Sequence, residues 1–415
     1  MGMTEYKPHE IDVAVIGGGQ AGLSASYYLK EQGISHIVFE RGQAMEAWRA
    51  QRWDNFCLVT PNWQCQLPGH GYGGADPDGF MRKPEIIEYL EAFKKKLDPP
   101  LREGVEVTRV APRAQGGFEI VTSEGRFAAS QVVVASGGYR EPIIPRFAER
   151  LPASILQIQS ADYRNAAQLP EGEVLVVGSG QSGAQIAEDL HLAGKRVHLA
   201  VGNAPRCARF YRGRDVVAWL ADMGYYEMSV EEHPLREGVR DNTNHYVTGR
   251  DGGRDIDLRK FAAEGMQLYG ALDGFAQGAL RFKPGLTQAL DAADATYNSI
   301  NAAIDKFIAA QNIEAPPASV YEPVWRPEAE PQALNVDGLA AIIWCIGFKP
   351  DFGWLDAPVF NGAGRPAHRR GVTAQPGLYF LGLPWLHTWG SGRFSGVARD
   401  AAFIVQQIVT ALASV

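Results

Sequence analysis

The stretch from Ile11 to Glu40 limits the possible folds more than any other part of the chain. An apolar run, Ile11-Asp12-Val13-Ala14-Val15-Ile16, leads into GGGQAG, with glycines at Gly17, Gly19 and Gly22. A helical pattern follows through Leu23, Ala25, Tyr28 and Leu29, and a second apolar run, Ile37-Val38-Phe39, ends at Glu40. Strand, glycine turn, helix, strand and terminal acid describe a βαβ unit that binds a dinucleotide. Gly17 lets the chain turn sharply out of the strand. Gly19 leaves room for a pyrophosphate against the backbone, and Gly22 lets helix and strand pack closely. The helix N-terminus offers free N–H groups and partial positive charge to the phosphates. Glu40 stands where an acid accepts hydrogen bonds from a ribose.

Glycines alone would not carry this reading. Glycine supplies 46 of 415 residues, so roughly half a GxGxxG match is expected by chance and the setting decides. GHGYGG also matches, at Gly69, Gly71 and Gly74, but no apolar strand precedes it and no helix follows; it reads as a loop. GSGQSG, with Gly178, Gly180 and Gly183, has the full setting. Val174-Leu175-Val176-Val177 precedes it, a helix runs to about Leu192, and Val197-His198-Leu199-Ala200 follows. Two complete units imply two dinucleotides, or the two halves of a two-nucleotide machine. The expected fold is α/β, with two Rossmann-like dinucleotide-binding domains and the second inserted in the first. Residues 1–168 and 335–415 would form one domain and 169–334 the other.

The second unit lacks the acid. Its strand ends at Ala200-Val201-Gly202, and Arg206, Arg209, Arg212 and Arg214 follow. An acid there would repel a 2′-phosphate and an arginine would pair with it, so this unit is expected to prefer NADPH over NADH.

Between the units, Arg52 to Gly69 is irregular and rich in aromatic residues; it either lines a ligand or packs as a loop. Lys83 to Lys95 reads as a helix, and Val105–Val110, Phe118–Thr122 and Gln131–Ala135 read as a β-meander. That meander runs into Ser136-Gly137-Gly138, which again brings backbone close to a ligand. HYVTGRDGGRDIDL, from His245, is a salt-bridged structural loop or a substrate loop. Ala289 to Gln311 is a long helix, and prolines between 316 and 331 mark a connection back to the first domain. Ala340–Gly347 and Gly377–Gly382 are buried strands, and Val397 to Leu412 is a terminal helix.

The net charge of −7 leaves no basic footprint, so nucleic acid is not an expected partner. Four cysteines, at 57, 65, 207 and 345, include no CxxC pair, which argues against a structural zinc site and against a redox dithiol; no metal is expected. MGMTEYKPHE has no apolar core and no run of 18 apolar residues exists, so neither a signal peptide nor a membrane span is expected. A cytoplasmic protein is the expectation, with a homodimer compatible.

With these motifs in hand, the chain resembles the class B flavin-dependent monooxygenases, the group of flavin-containing monooxygenases and Baeyer–Villiger enzymes, in their shorter bacterial form. The resemblance rests on GGGQAG with Glu40, Trp48, ASGGYREPIIP, GSGQSG, WCIGF and GLYFLG. At the family fingerprint FxGxxxHxxx-aromatic, the chain reads AxIxxxQxxxY from Ala153 to Tyr163, with Gln159 in the histidine position. The resemblance implies FAD in the first domain, held by Gly17, Gly19, Gln20, Ala21, Gly22, Glu40, Arg41, Trp48, Val107 and Ser136. It implies NADPH in the second, held by Gly178, Gly180, Gln181, Ser182, Gly183, Arg206 and Arg209. NADPH would reduce the flavin, and a flavin C4a-(hydro)peroxide would oxygenate a small substrate at N or S, or a ketone. The alternative is an NADPH-dependent flavin oxidoreductase or oxidase without oxygen insertion. Asn62 and Arg393 are the catalytic candidates. The loop Leu383–Gly396, with His387, Trp389 and Arg393, would face the flavin ring.

Overall fold

The computed structural model describes residues 9–413; the text from which no signal peptide is expected falls largely in residues 1–8, outside the described residues. In chain order the parallel strands of the two main sheets, with the antiparallel meander of the first, begin with β1 (His9–Ile16), β2 (His36–Phe39), β3 (Leu101–Arg102), β4 (Val107–Pro112), β5 (Phe118–Thr122) and β6 (Gly125–Val134). They continue with β7 (Leu156–Gln159), β8 (Glu173–Val177), β9 (Val197–Ala200), β10 (Gln267–Tyr269), β11 (Leu339–Trp344) and β12 (Leu378–Phe380). The longer helices are α1 (Gln20–Glu31), α2 (Lys83–Leu97), α3 (Gln181–Leu192), α4 (Leu286–Gln311) and α5 (Val397–Leu412).

In the first sheet, β12, β6, β1, β2 and β3 lie side by side in parallel. The meander β4–β5–β6 joins it in antiparallel fashion. The second sheet is parallel throughout, in the order β7-β11-β8-β9-β10. Val13, Ala14 and Val15 in β1, and Val174, Leu175 and Val176 in β8, have no exposed surface. A parallel strand covered on both faces has to be an unbroken apolar run, and both sequences are. On one face of the first sheet, Leu23 and Leu29 of α1 share a core with Ala401, Ile404 and Ile408 of α5.

In each sheet the strand before the glycine turn sits between its own βαβ partner and a strand from elsewhere in the chain. β1 lies between β2 and β6, and β8 lies between β9 and β11. That is a topological switch point, the crevice where open α/β sheets bind ligands. Among the described residues no helix is long and apolar enough to cross a membrane.

The hydrogen bonding corrects the exchange between the two units. β7 and β11 belong to the second sheet, although the boundaries at 168 and 335 place both in the first domain. Glu141–Pro142 pairs with Phe348–Lys349 where the chain passes between sheets. The residues of β11 form a buried parallel strand, and such a run carries no sign of which parallel sheet will take it. The last meander strand begins at Gly125 rather than Gln131, because β6 serves both the meander and the parallel sheet.

Glu330 fastens the start of α4. Its carboxylate accepts hydrogen bonds from the N–H of Gly285 at 2.7 Å and of Thr287 at 2.9 Å. Those backbone bonds, Gly285 first, hold its carboxyl down to about 2. The folded value lies below the unfolded one, so the stability it contributes is complete above the ordinary carboxylate range and is lost as pH falls toward about 2. Glu330→Gln is expected to lower stability at neutral pH and to flatten the acid limb, read from urea unfolding at a series of pH values.

Candidate functional site

The two glycine turns have the same geometry. Gly17 (φ +113°) and Gly178 (φ +100°) adopt a conformation that favours glycine, and a Cβ on either would sit 2.5 Å from the Ala135 oxygen or 2.7 Å from the Cys345 oxygen. A Cβ on Gly22 would sit 1.9 Å from the Gly17 oxygen, and one on Gly183 would sit 1.8 Å from the Gly178 oxygen. The outer glycines are thus required by the protein's own packing. The middle ones are not. A Cβ on Gly19 meets nothing within 4 Å, and one on Gly180 meets only the Thr243 methyl at 3.7 Å. Both have ordinary extended backbone, φ −78° and −66°, and both helices begin without a side-chain cap. Open space over uncapped helix N–H groups fits the pyrophosphate of a dinucleotide.

Each turn is tied to distant chain by its glutamine. Gln20 Nε2 donates to the Gly392 oxygen at 3.2 Å, and its Oε1 accepts from Trp48 Nε1 at 3.2 Å. Gln181 Nε2 donates to the Val247 oxygen at 2.7 Å while its Oε1 accepts from the Val247 N–H at 3.3 Å. Trp48 stacks on Phe394 at 4.9 Å, which closes the first turn against the loop before α5. Ala21 packs where Gly382 leaves it room, its Cβ 2.5 Å from the place a side chain there would fill. The Glu40 carboxylate accepts from the N–H of Gly18 at 2.7 Å and of Gly42 at 2.9 Å, at the end of β2 beside the turn. Exposed Arg41 follows it, and exposed Ser136 follows Ala135, whose oxygen faces Gly17. Val107 is half-buried at the start of β4, two residues past the Val105 N–H that bonds the Glu40 oxygen. Ser182 is half-buried in the first turn of α3.

Other candidates have structural duties. Asn62 donates from Nδ2 to the Asp76 oxygen at 2.9 Å and accepts on Oδ1 from the Met81 N–H at 2.7 Å, so both ends of its amide fasten a loop. Arg206 is 2% exposed and donates to Asp294 at 2.9 Å. Arg209 is 1% exposed and donates to Asp215 at 2.5 Å and to the Val59 oxygen at 2.6 Å. Arg212 pairs with Asp305 and Arg214 with Asp222. All four arginines after β9 are therefore neutralised within the protein, and the buried Arg206 and Arg209 do not form the expected 2′-phosphate clamp. The loop from His245 is likewise pinned by ion pairs to α3, Arg250 to Asp189 at 2.6 Å and Arg254 to Glu188 at 3.0 Å.

Arg393 lies 3.8 Å over the Trp389 ring. It donates to the Trp389 oxygen and, at 3.0 Å, to Asn244 Oδ1. Burial lowers its pKa. His387 is half-buried, with its pKa lowered by burial, and its backbone N–H donates to Ser391 Oγ at 2.9 Å.

One residue has no signature in the sequence. Asp189 of α3, 3% exposed, accepts from Tyr163 at 2.7 Å, Asn55 at 2.9 Å and Arg250 at 2.6 Å. It joins the loop after Trp48, the crossover at the fingerprint tyrosine and the helix of the second turn. The only local hint is Tyr163, kept in the aromatic fingerprint position.

All four cysteines are free. Burial pushes the Cys65 and Cys207 thiols up to about 12 and raises those of Cys57 and Cys345 as well.

A family model for pyridine nucleotide-disulphide oxidoreductases matches residues 14–223. The protein named uncharacterized oxidoreductase CzcO-like, from Geobacillus kaustophilus, is 32% identical over 407 residues, which cover 97% of this chain and 99% of that one. Among solved structures, a flavin-containing monooxygenase from Stenotrophomonas maltophilia gives a TM-score of 0.67 at 20% identity, over 97% of this chain and 99% of that chain. Bacillithiol disulfide reductase Bdr from Staphylococcus aureus gives 0.62 at 14% identity, over 97% and 99%. The structural likenesses establish a fold of two Rossmann-like units, as in flavin monooxygenases; the family match and the Geobacillus relative identify an oxidoreductase. The chain belongs to the pyridine nucleotide-disulphide oxidoreductase family.

Proposed function

We propose that this protein is an NADPH- and dioxygen-dependent flavin monooxygenase acting on a small organic substrate, with FAD at the Gly17–Gly22 turn and NADPH at the Gly178–Gly183 turn. The observation that carries the reading is the pair of turns with open middles in a chain whose four thiols are unpaired, three of them buried and Cys345 half-buried. The family's name includes disulfide chemistry, which needs a thiolate to attack a disulfide sulfur. Raised thiol pKa values and the lack of a paired cysteine disfavour that branch. The end of β9 carries no acid to repel a 2′-phosphate, which favours NADPH, although the arginines after it supply no clamp.

Bound FAD would take a hydride from NADPH and deliver the electrons to dioxygen. The balanced reaction is S + NADPH + H⁺ + O₂ → SO + NADP⁺ + H₂O. The protein's residues place and protect the partners. Gln20 and Trp48 hold the α5 loop against the first turn. Gln181 and Asp189 hold the second unit's helix against the crossover segments. Trp48 and Phe394 close that side to water.

The test supplies NADPH and isotopically heavy dioxygen to the flavin-loaded protein with amines, sulfides and ketones. The reading requires one heavy oxygen atom in product for each NADPH consumed with a good substrate. Hydrogen peroxide as the sole oxygen product across the panel would favour the second reading, an NADPH-dependent flavin oxidoreductase or oxidase.

A further inference from the structure

Two arginines beside the first turn have no acidic partner. Arg52 donates only to the Gln51 oxygen, at 2.8 Å, and lies 5.1 Å over the Trp48 ring and 5.5 Å over Phe56. Arg393 bonds only the neutral groups of Trp389 and Asn244. Among the described residues neither makes a salt bridge, whereas the fully buried arginines Arg206, Arg209 and Arg259 all do.

Both stand on one stack. Trp48 lies against Phe394, the residue after Arg393, and carries Arg52 over its ring. Gln20 bridges Trp48 and Gly392, the residue before Arg393. Tyr139, 60% exposed, lies near enough to both guanidinium groups to act electrostatically on each. Both side chains are only half-buried, so a solute can reach them. Burial nevertheless lowers both pKa values, that of Arg52 to about 10. A desolvated cation without a counter-ion is costly, and an incoming anion removes that cost.

We propose that Arg52 and Arg393 form the anion-holding end of the substrate pocket, which takes an organic carboxylate with an apolar or aromatic body. Arginine presents a planar fork that matches a carboxylate. The surrounding rings of Trp48, Phe56, Trp389 and Tyr139 supply the apolar wall. This deepens the monooxygenase reading by naming a substrate class and rests on that reading for the fate of the bound molecule.

The test is calorimetric titration of the purified full chain with benzoate and with benzamide, a neutral molecule of the same shape, at low ionic strength. Benzoate is expected to bind about tenfold more tightly or better, as charge-assisted bonds to arginine allow. Arg52→Gln and Arg393→Gln should each remove most of that preference and leave benzamide binding unchanged. Arg52→Lys and Arg393→Lys, which keep the charge, should retain part of it and guard against misfolding as the explanation. Equal binding of the two probes would overturn the proposal. So would Gln variants that weaken NADPH binding alone, since the arginines would then serve the nucleotide. The titration needs no turnover. A benzoate preference in a protein that oxygenates nothing would uphold the anion site and sink the monooxygenase reading. Equal oxygenation of carboxylates and their neutral amides would do the reverse.

Discussion

Gly180→Val is expected to leave a folded, yellow protein that NADPH can no longer reduce. The backbone at Gly180 is extended, φ −66°, and a Cβ there meets only a methyl group at 3.7 Å, so the chain itself tolerates the change. The new side chain would fill the space kept over the start of α3, where the pyrophosphate of the second dinucleotide has to lie. Dithionite, which needs no site, should still bleach the flavin. Gly19→Val is the mirror experiment. Its Cβ meets nothing within 4 Å, so the protein should fold and lose its colour. Each loss should be at least about a hundredfold in affinity, because displacing the phosphates forfeits several charge-assisted bonds at once. Gly22→Val and Gly183→Val make the contrast. Their Cβ atoms would lie 1.9 and 1.8 Å from backbone oxygens, so folding itself should fail, visible as insoluble protein. Equal behaviour of middle and outer glycine variants would contradict this division.

The largest stability effect is expected at Asp294, 8% exposed. It accepts from Arg206 at 2.9 Å on one oxygen and from Arg259 at 2.8 Å on the other. Arg206 and Arg259 are 2% and 1% exposed. Asp294→Ala strips a partner from two buried cations. Breaking one buried pair costs about 3–5 kcal/mol, so the variant should lose at least that much, measured by denaturant unfolding. Arg259 keeps Asp291 at 2.5 Å and the Trp325 oxygen at 3.0 Å, whereas among the described residues Arg206 keeps only Asp257 as an acidic partner, at 3.9 Å and without a hydrogen bond, so Arg206 should account for most of the loss. Arg206→Met should therefore be milder than Asp294→Ala and should leave the ratio of NADPH to NADH use unchanged. A fall in that ratio would return Arg206 to the 2′-phosphate site from which its burial removes it.

The parts of this molecule that could be read from the sequence are those whose causes are local. A glycine turn, the apolar run before it and the helix after it all lie within thirty or so residues, and each has one physical explanation, so both βαβ units were legible. The sheet joined by β11 was not, since an interior parallel strand has the same apolar text in either sheet. Arg206 and Arg209 misled for a related reason. A basic cluster after β9 is visible in the sequence, but Asp294 stands far along the chain on α4, and only the fold shows that it takes the charge. Asn62 after Pro61 allowed either a turn or a catalytic amide. The bonds to Asp76 and Met81 come from the loop after the decoy GHGYGG, whose shape no local rule supplies. Asp189 was invisible because its three partners come from three separate segments.

The most direct measurement of the two-nucleotide reading is anaerobic titration of the purified protein with NADPH, followed by the visible absorbance of its flavin. The account predicts a yellow protein that bleaches with one NADPH per flavin and recovers its colour when oxygen is admitted. A protein that binds no flavin, or whose flavin dithionite reduces but NADPH does not, would contradict it.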